Sequence, residues 1–173
     1  MRPKISIYIA TSIDGYIARE DGSLDWLDRI DGQGSDYGFN DFFGSIDALV
    51  LGKNTYEKVM TFPKWPYSGK RVIVLSKSLT SVMPEAELFS GNASDLAAKL
   101  HTDGIQHVWI DGGLTISHFL QSGLVDKMTL TIIPVILGSG IPLFNPLSSE
   151  ILCKLSSSQG YPSGLVQLTY DIA

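Results

Sequence analysis

Cysteine is nearly absent. Cys153 stands alone among 173 residues, so no internal disulfide can close, and a reducing compartment is the natural expectation. A single cysteine with no ligand partners is expected to be a buried or half-buried bystander. Positive charge is also scarce. Thirteen Lys and Arg against 18 Asp and Glu leave a net charge of −5, which weighs against nucleic acid as a partner because that ligand rewards a basic face. No apolar run approaches the roughly 20 residues of a membrane helix. The first residues show no charged segment followed by a long apolar stretch and a small-residue cleavage site. The expectation is therefore a soluble cytoplasmic protein. Three histidines occur, His101, His107 and His118, without metal-ligand spacing between them. Each is expected to be structural or exposed, and no metal site is expected.

What is present is material for a core. Hydrophobic residues make up 44% and charged residues 18%, and the length suits one domain spanning residues 1–173. "KISIYIATS" (4–12) is rich in β-branched and aromatic residues and predicts a strand. "DGYIAREDGSLDWLDRIDGQGSDYG" (14–38) lacks apolar periodicity and reads as a long loop, a length found mainly in functional lids or disordered segments. "IDALVLG" (46–52) and "KRVIVLS" (70–76) are short continuous apolar runs, the pattern of strands buried on both faces. "NTYEKVM" (54–60) predicts a short helix. "SDLAAKLHTDG" (94–104) predicts another, with Ser94 as cap and Gly104 as stop. "HVWIDGG" (107–113) is a strand ending in two glycines, and "TISHFLQSG" (115–123) is a helix closed by Gly123. "DKMTLTIIPVILG" (126–138) predicts a longer strand. "GLVQLTYDI" (164–172) alternates, so it belongs antiparallel or at an edge. Strands alternate with helices, which predicts a three-layer α/β fold with a mostly parallel central sheet and an antiparallel C-terminal strand. Ligands bind such sheets at the carboxyl ends of the strands.

Four junctions fall at that edge. "DALVLGKNTYEKV" (47–59) carries Gly52-Lys53-Asn54-Thr55 between a strand and a helix. It is not an ATPase phosphate loop, because Asp47 stands where that motif needs Gly and Asn54 where it needs Ser or Thr. A helix opening after Gly still offers free backbone N–H groups to an anion. The alternative is a plain turn with a solvated Lys. Ser76-Lys77 ends another strand and could hold a second phosphate or be an ordinary strand exit. Asp111-Gly112-Gly113-Leu114-Thr115 permits close backbone approach, or serves close helix–strand packing. It is not the G-x-G-x-x-G dinucleotide fingerprint. Ser12 to Ile17, with Asp14-Gly15, is a junction or merely a turn. Two cations at separate strand ends with a glycine pair would suit an extended ligand with several phosphates, such as NADPH.

Taken in order, "SIDGYIA", "DALVLGKNTYE", "VIVLSKS" and "VWIDGGLTISHFLQSGLVDKMTLTIIPVILGSGIPLF" resemble the reductase domain of riboflavin biosynthesis. That domain is the C-terminal half of the bifunctional deaminase–reductase, and it has the dihydrofolate reductase-like fold. The resemblance covers nearly the whole chain. It implies NADPH-dependent reduction, as of 5-amino-6-(5-phosphoribosylamino)uracil, with hydride delivered to the imine at the sugar C1. By carry-over, Gly52, Lys53, Asn54 and Thr55 hold the pyrophosphate, and Ser76 and Lys77 the 2′-phosphate. Gly112 and Gly113, a pair often joined by a cis peptide in this fold, lie under the cofactor. Leu114 and Thr115 follow along the pyrophosphate. Ala10 and Ile17 flank the nicotinamide, with Asp14, Gly15 and Tyr16 in a loop that closes over it.

The departures are specific. Lys53 stands where the family has Arg, keeping the charge and losing the two-pronged contact. The deaminase signature, H-x-E followed by P-C-x-x-C, is missing. Hydride delivery to C=N needs a proton source. By position before Gly52 the candidates are Asp36 and Asp41, with Asn40 between them, or these are solvated residues at a helix start. Arg19, Arg29 and Lys64 are candidates for a substrate phosphate. A dihydrofolate or pterin reductase, and an NADPH-binding module without catalysis, remain as other readings. The apolar "IIPVILGSGIPLF" region suits a homodimer interface or a core strand with its turn.

Overall fold

The structure, a computed structural model, describes residues 1–28 and 35–173; the candidate Arg29 lies outside them. The first strand is β1 (Lys4–Ser12). A short β2 (Tyr16–Ala18) follows, then α1 (Phe39–Ser45) and β3 (Ala48–Gly52). Next come α2 (Lys53–Val59), β4 (Arg71–Leu75), β5 (Glu87–Phe89) and α3 (Ala93–Thr102). The glycine pair joins β6 (His107–Asp111) to α4 (Gly113–Gln121). The chain closes with β7 (Lys127–Ile133), β8 (Ile141–Pro142), β9 (Cys153–Gly160) and β10 (Val166–Ile172).

Eight strands form one sheet in the order β5-β4-β3-β6-β1-β7-β10-β9. It is parallel from β5 to β7, and β10 and β9 are joined antiparallel. The expected mostly parallel α/β sheet with an antiparallel C-terminal strand is what forms.

The apolar runs explain the layers. In β3, Ala48 and Val50 point to one face and Leu49 and Leu51 to the other, all fully buried. Alternate residues of a strand face opposite sides, so a strand covered on both faces must be apolar throughout. On one face α3 and α4 press Leu96, Leu100, Ile116 and Phe119 against Ile5, Ile7 and Val50. On the other, α1 and α2 bring Phe39, Phe42, Tyr56 and Val59 against Leu49, Val74 and Trp109.

Several expectations change. Ser94 lies inside α3; the cap is Asn92, whose side-chain oxygen accepts the Asp95 N–H at 2.9 Å. The strand expected over 126–138 stops at Ile133, because Pro134 has no N–H to give a ladder. β10 is antiparallel, as expected, with β9 paired outside it. β9, "CKLSSSQG", is too polar to read as a strand, and every residue in it is exposed. Cys153 opens it and is therefore exposed rather than buried. The segment expected as a loop contains β2, which pairs with β8, and Trp26, which is fully buried against Ile133 and Leu165. The peptide between Gly112 and Gly113 is trans. Among the described residues, no helix is long and apolar enough to cross a membrane.

Candidate active site

The sheet opens at its carboxyl edge. β1 and β6 pair in parallel only as far as Ser6 with Trp109, yet β1 runs on to Ser12 and β6 to Asp111. β1 stays paired with β7 to its end, and β6 with β3. The two central strands therefore part above Trp109 and leave a notch. Counting two residues beyond the last rung puts Tyr8 and Asp111 on the same face, at its two sides.

Two helices begin beside the notch from opposite faces of the sheet. Gly52 precedes α2 and Gly112 precedes α4. Each glycine is opposed by the other helix's threonine. A Cβ on Gly112 would meet Thr55 Oγ1 at 2.5 Å, and one on Gly52 would overlap Thr115 Oγ1. Gly112 also has φ +100°, outside the range open to other residues without strain. Gly113 lies against the Pro142 carbonyl and within reach of Ile17. The two helix openings thus pack closely on each other, glycine against threonine. The opening of α4, with its free N–H groups and positive dipole end, is of the kind that can hold an anion.

Asp111 is the unusual titratable group. Enclosure by protein pushes its pKa up to about 6, against a single hydrogen bond from the Gly112 N–H that pulls the other way. Tyr67, buried beside Trp109, has its own pKa raised, mainly by burial and then by the Asp111 charge. Tyr8 stacks on Phe42 at 4.7 Å and donates to the Tyr37 carbonyl at 2.5 Å. Gln167 donates to the same carbonyl, to Tyr8 Oη and to Thr131 Oγ1. Tyr37 is the one described non-glycine residue at positive φ, 55°.

A model of the RibD C-terminal domain matches residues 3–167. The chain belongs to the RibD C-terminal domain family. It is 40% identical to the protein YwjB of Bacillus subtilis over 98% of both chains. A crystal structure of a putative riboflavin biosynthesis protein from Shewanella sp. PV-4 superposes at TM-score 0.93, with 38% identity over 100% of this chain and 99% of that one. A Thermotoga maritima diaminohydroxyphosphoribosylaminopyrimidine deaminase/5-amino-6-(5-phosphoribosylamino)uracil reductase shares the fold at TM-score 0.76 and 16% identity, over 99% of this chain and 57% of that chain. The dihydrofolate reductase-like architecture of RibD reductase domains is therefore the architecture here.

Among RibD-type positions, the structure gathers Gly52, Thr55, Gly112, Gly113, Thr115 and Ile17 around the α2 and α4 openings. Lys53 is half-buried, 3.9 Å from Glu57, while Asn54 and Leu114 are exposed. Ser76 is buried at the end of β4, its oxygen accepts the N–H of Ser78 and Leu79, and it pairs with Ser78 Oγ at 3.4 Å. Lys77 beside it is exposed. Ala10 packs near Trp26 and Tyr37, and Ile17 against the core beneath α3 and α4. The Asp14–Tyr16 loop is fastened rather than loose. The Asp14 carboxylate accepts from Ser12 Oγ, Leu137 N and Gly138 N, and Leu143 N–H donates to the Gly15 carbonyl. The Ser12 bond, with these backbone amides, holds the Asp14 pKa low.

Asp36 stands before α1, near enough to Tyr8 for its charge to help raise the Tyr8 pKa. The Asp36 carboxylate accepts the N–H of Gly38 and Asn40 at the start of α1, and these bonds lower its pKa, so it is ionised at neutral pH. Asp41 is exposed on α1. Arg19 is engaged with Asp25 at 2.6 and 3.1 Å, and Lys64 is exposed. The sequence signal for Asp111 was present: an acid directly after the apolar run Val108–Ile110. Nothing in the sequence pointed to Tyr8, Tyr67 or Gln167.

Proposed function

We propose that this chain is an NADPH-dependent reductase of the riboflavin-biosynthesis type, reducing the C=N bond at the sugar C1 of a ribosylamino-pyrimidine. The observation that carries the reading is the notch where β1 and β6 part, with Asp111 at its rim and the α2 and α4 openings beside it. The fit to the cofactor is the pair of helix openings, where Gly52 and Gly112 let α2 and α4 begin close together and the first N–H groups of α4 are free for an anion. Gly112, Gly113 and Thr115 would hold the pyrophosphate with Gly52 to Thr55, and Ser76 and Lys77 the 2′-phosphate. NADPH, when bound, supplies a hydride.

The rest of the chemistry belongs to the chain. Hydride addition at the imine carbon drives the C=N pair onto nitrogen, which then needs a proton. Asp111, with a pKa of about 6, is placed to carry that proton on its carboxyl and give it up. The role assigned by sequence to Asp36 or Asp41 thus passes to Asp111.

The reading includes a homodimer. Among the described residues β9 is an unpaired edge with both faces exposed, and Leu152 before it and Leu155 within it are 72% and 51% exposed; such edges attract a second strand. Sedimentation tests this. The reductase assay is NADPH oxidation started by the ribosylamino-pyrimidine, with product identified by mass. Turnover lost in Asp111→Asn with NADPH binding retained supports the assignment. Full turnover in that variant refutes it.

A further inference from the structure

The loop from α2 to β4, "TFPKWPYSGK" (61–70), carries a polar group that the reductase reading leaves without a task. Tyr67 is 7% exposed and packs with Leu49, Leu51, Val72, Val74 and Trp109. In the sheet Val74, Leu51 and Asp111 form one row across β4, β3 and β6. Val72, Leu49 and Trp109 form the row two residues below it on the same face. The Tyr67 ring therefore lies on the face that carries Asp111, edge-on to Trp109 at 6.1 Å and to Trp65 at 5.3 Å. A turn holds it there. The Lys70 N–H donates to the Tyr67 carbonyl at 3.1 Å, and Lys70 Nζ donates to the Ile46 carbonyl.

What sets Tyr67 apart is its hydroxyl. Tyr56 is equally buried in the same cluster, and its Oη accepts the Met83 N–H at 2.9 Å. Tyr8 Oη is engaged by the Tyr37 carbonyl and by Gln167. Tyr67 Oη has no hydrogen-bond partner among the described residues. It is not sealed in the core either, for the sealed side-chain polar atoms without a partner there are Trp26 Nε1 and Trp109 Nε1. The small exposed part of Tyr67 thus includes its oxygen. Burial first, and then the Asp111 charge, raise the Tyr67 pKa, and Asp111 is the one charge that does so. Asp111 has a matching vacancy: Oδ1 accepts the Gly112 N–H, and Oδ2 has no partner among the described residues. A phenol folded into an apolar cluster with its hydroxyl unpaired costs free energy, which an acceptor on a ligand recovers.

We infer that Tyr67 Oη donates a hydrogen bond to the substrate, to a carbonyl oxygen on the heterocycle beside the C=N that Asp111 serves. This rests on the reductase reading and deepens it. Burial keeps the phenol protonated, so it acts as a neutral donor. Its surroundings are flat aromatic rings, which suit an oxygen in the plane of a heterocycle. A substrate lacking that oxygen leaves the phenol unpaired, the means by which such sites reject analogues.

The test pairs a change in the protein with a change in the substrate. Tyr67→Phe removes only Oη. The ribosylamino-pyrimidine is compared with its analogue lacking the ring carbonyl oxygen, at saturating NADPH. In the parent the analogue is expected to lose about tenfold in kcat/KM, mostly through KM. In Tyr67→Phe the two compounds should converge, with NADPH affinity and the urea midpoint as in the parent, because no protein group loses a partner. Tyr56→Phe, which does strip Met83 of one, should lower the urea midpoint and keep the discrimination. Unchanged discrimination in Tyr67→Phe overturns the inference, as does a loss of stability matching that of Tyr56→Phe. A shifted pH midpoint of kcat with discrimination intact would mean that the phenol serves Asp111 instead, and overturns it too. If neither compound turns over, the four combinations are ranked by binding to the NADP-loaded protein, and equal binding, or binding of neither compound, overturns it. Failure to bind NADPH at all, measured separately, would remove the reductase reading itself.

Discussion

Replacing Asp111 by Asn should make the protein more stable at neutral pH while abolishing its chemistry. The side chain keeps its shape, and its oxygen can still accept the Gly112 N–H that holds Asp111 Oδ1 at 2.9 Å. What disappears is a charge that burial disfavours. The Asp111 pKa rises from 3.8 to about 6 in the folded chain, and that gap is worth at most about 3 kcal/mol. Below the lower value the carboxyl is protonated whether the chain is folded or not, and it contributes nothing. Between the two values the unfolded chain releases the proton and the folded chain keeps it. The folded state then binds more protons, so stability falls as pH rises. Above about pH 6 the whole penalty is present. Urea unfolding of both proteins at pH 4 and at about pH 7.5 measures this. The stability of Asp111→Asn relative to the parent should rise by up to about 3 kcal/mol across that interval. A relative stability that stays flat with pH would mean that Asp111 titrates like an ordinary carboxylate, and its role as proton donor would fall with it.

The paired glycines and the buried anchor give two further expectations. Gly52→Ala should weaken NADPH at least tenfold by calorimetry, because its Cβ overlaps Thr115 Oγ1; Gly52→Ala/Thr115→Ala should recover the lost folding stability, as expected of contacting residues. Trp26→Ala should cost about 3–5 kcal/mol in urea unfolding, because Trp26 is fully buried and pins the 16–28 segment to Ile133 and Leu165. A cost well under 1 kcal/mol would show that this segment is not part of the folded core.

The parts of the fold readable in the sequence are those whose residues answer to a single environment. "ALVLG" and "VWID" are buried on both faces, so apolar continuity alone declares them. β9 was unreadable for the converse reason: it is held by backbone ladder bonds to β10 while every side chain faces solvent. α1 was unreadable because no residue in it is fully buried, and Phe39 and Phe42 find Tyr8 and Trp109 only once distant strands are brought beneath them. In the site, Gly52 and Gly112 were legible as glycines between a strand and a helix. The reason each must be glycine was not, since it is a threonine on the opposite helix. The notch itself could not be read at all, because it arises where two strands far apart in the chain stop pairing. Asp111 changes from an unremarked acid to the central group only once its enclosure is seen.

The central claim is that the notch and its two helix openings form an NADPH site. Titration of the purified protein with NADPH and with NADH, followed by Trp fluorescence quenching and energy transfer to the nicotinamide, tests it most directly, since Trp109 lies at the base of the notch. Tight NADPH binding, NADH at least tenfold weaker, and loss of that difference in Lys77→Ala is the predicted result. Binding of neither nucleotide would contradict the account.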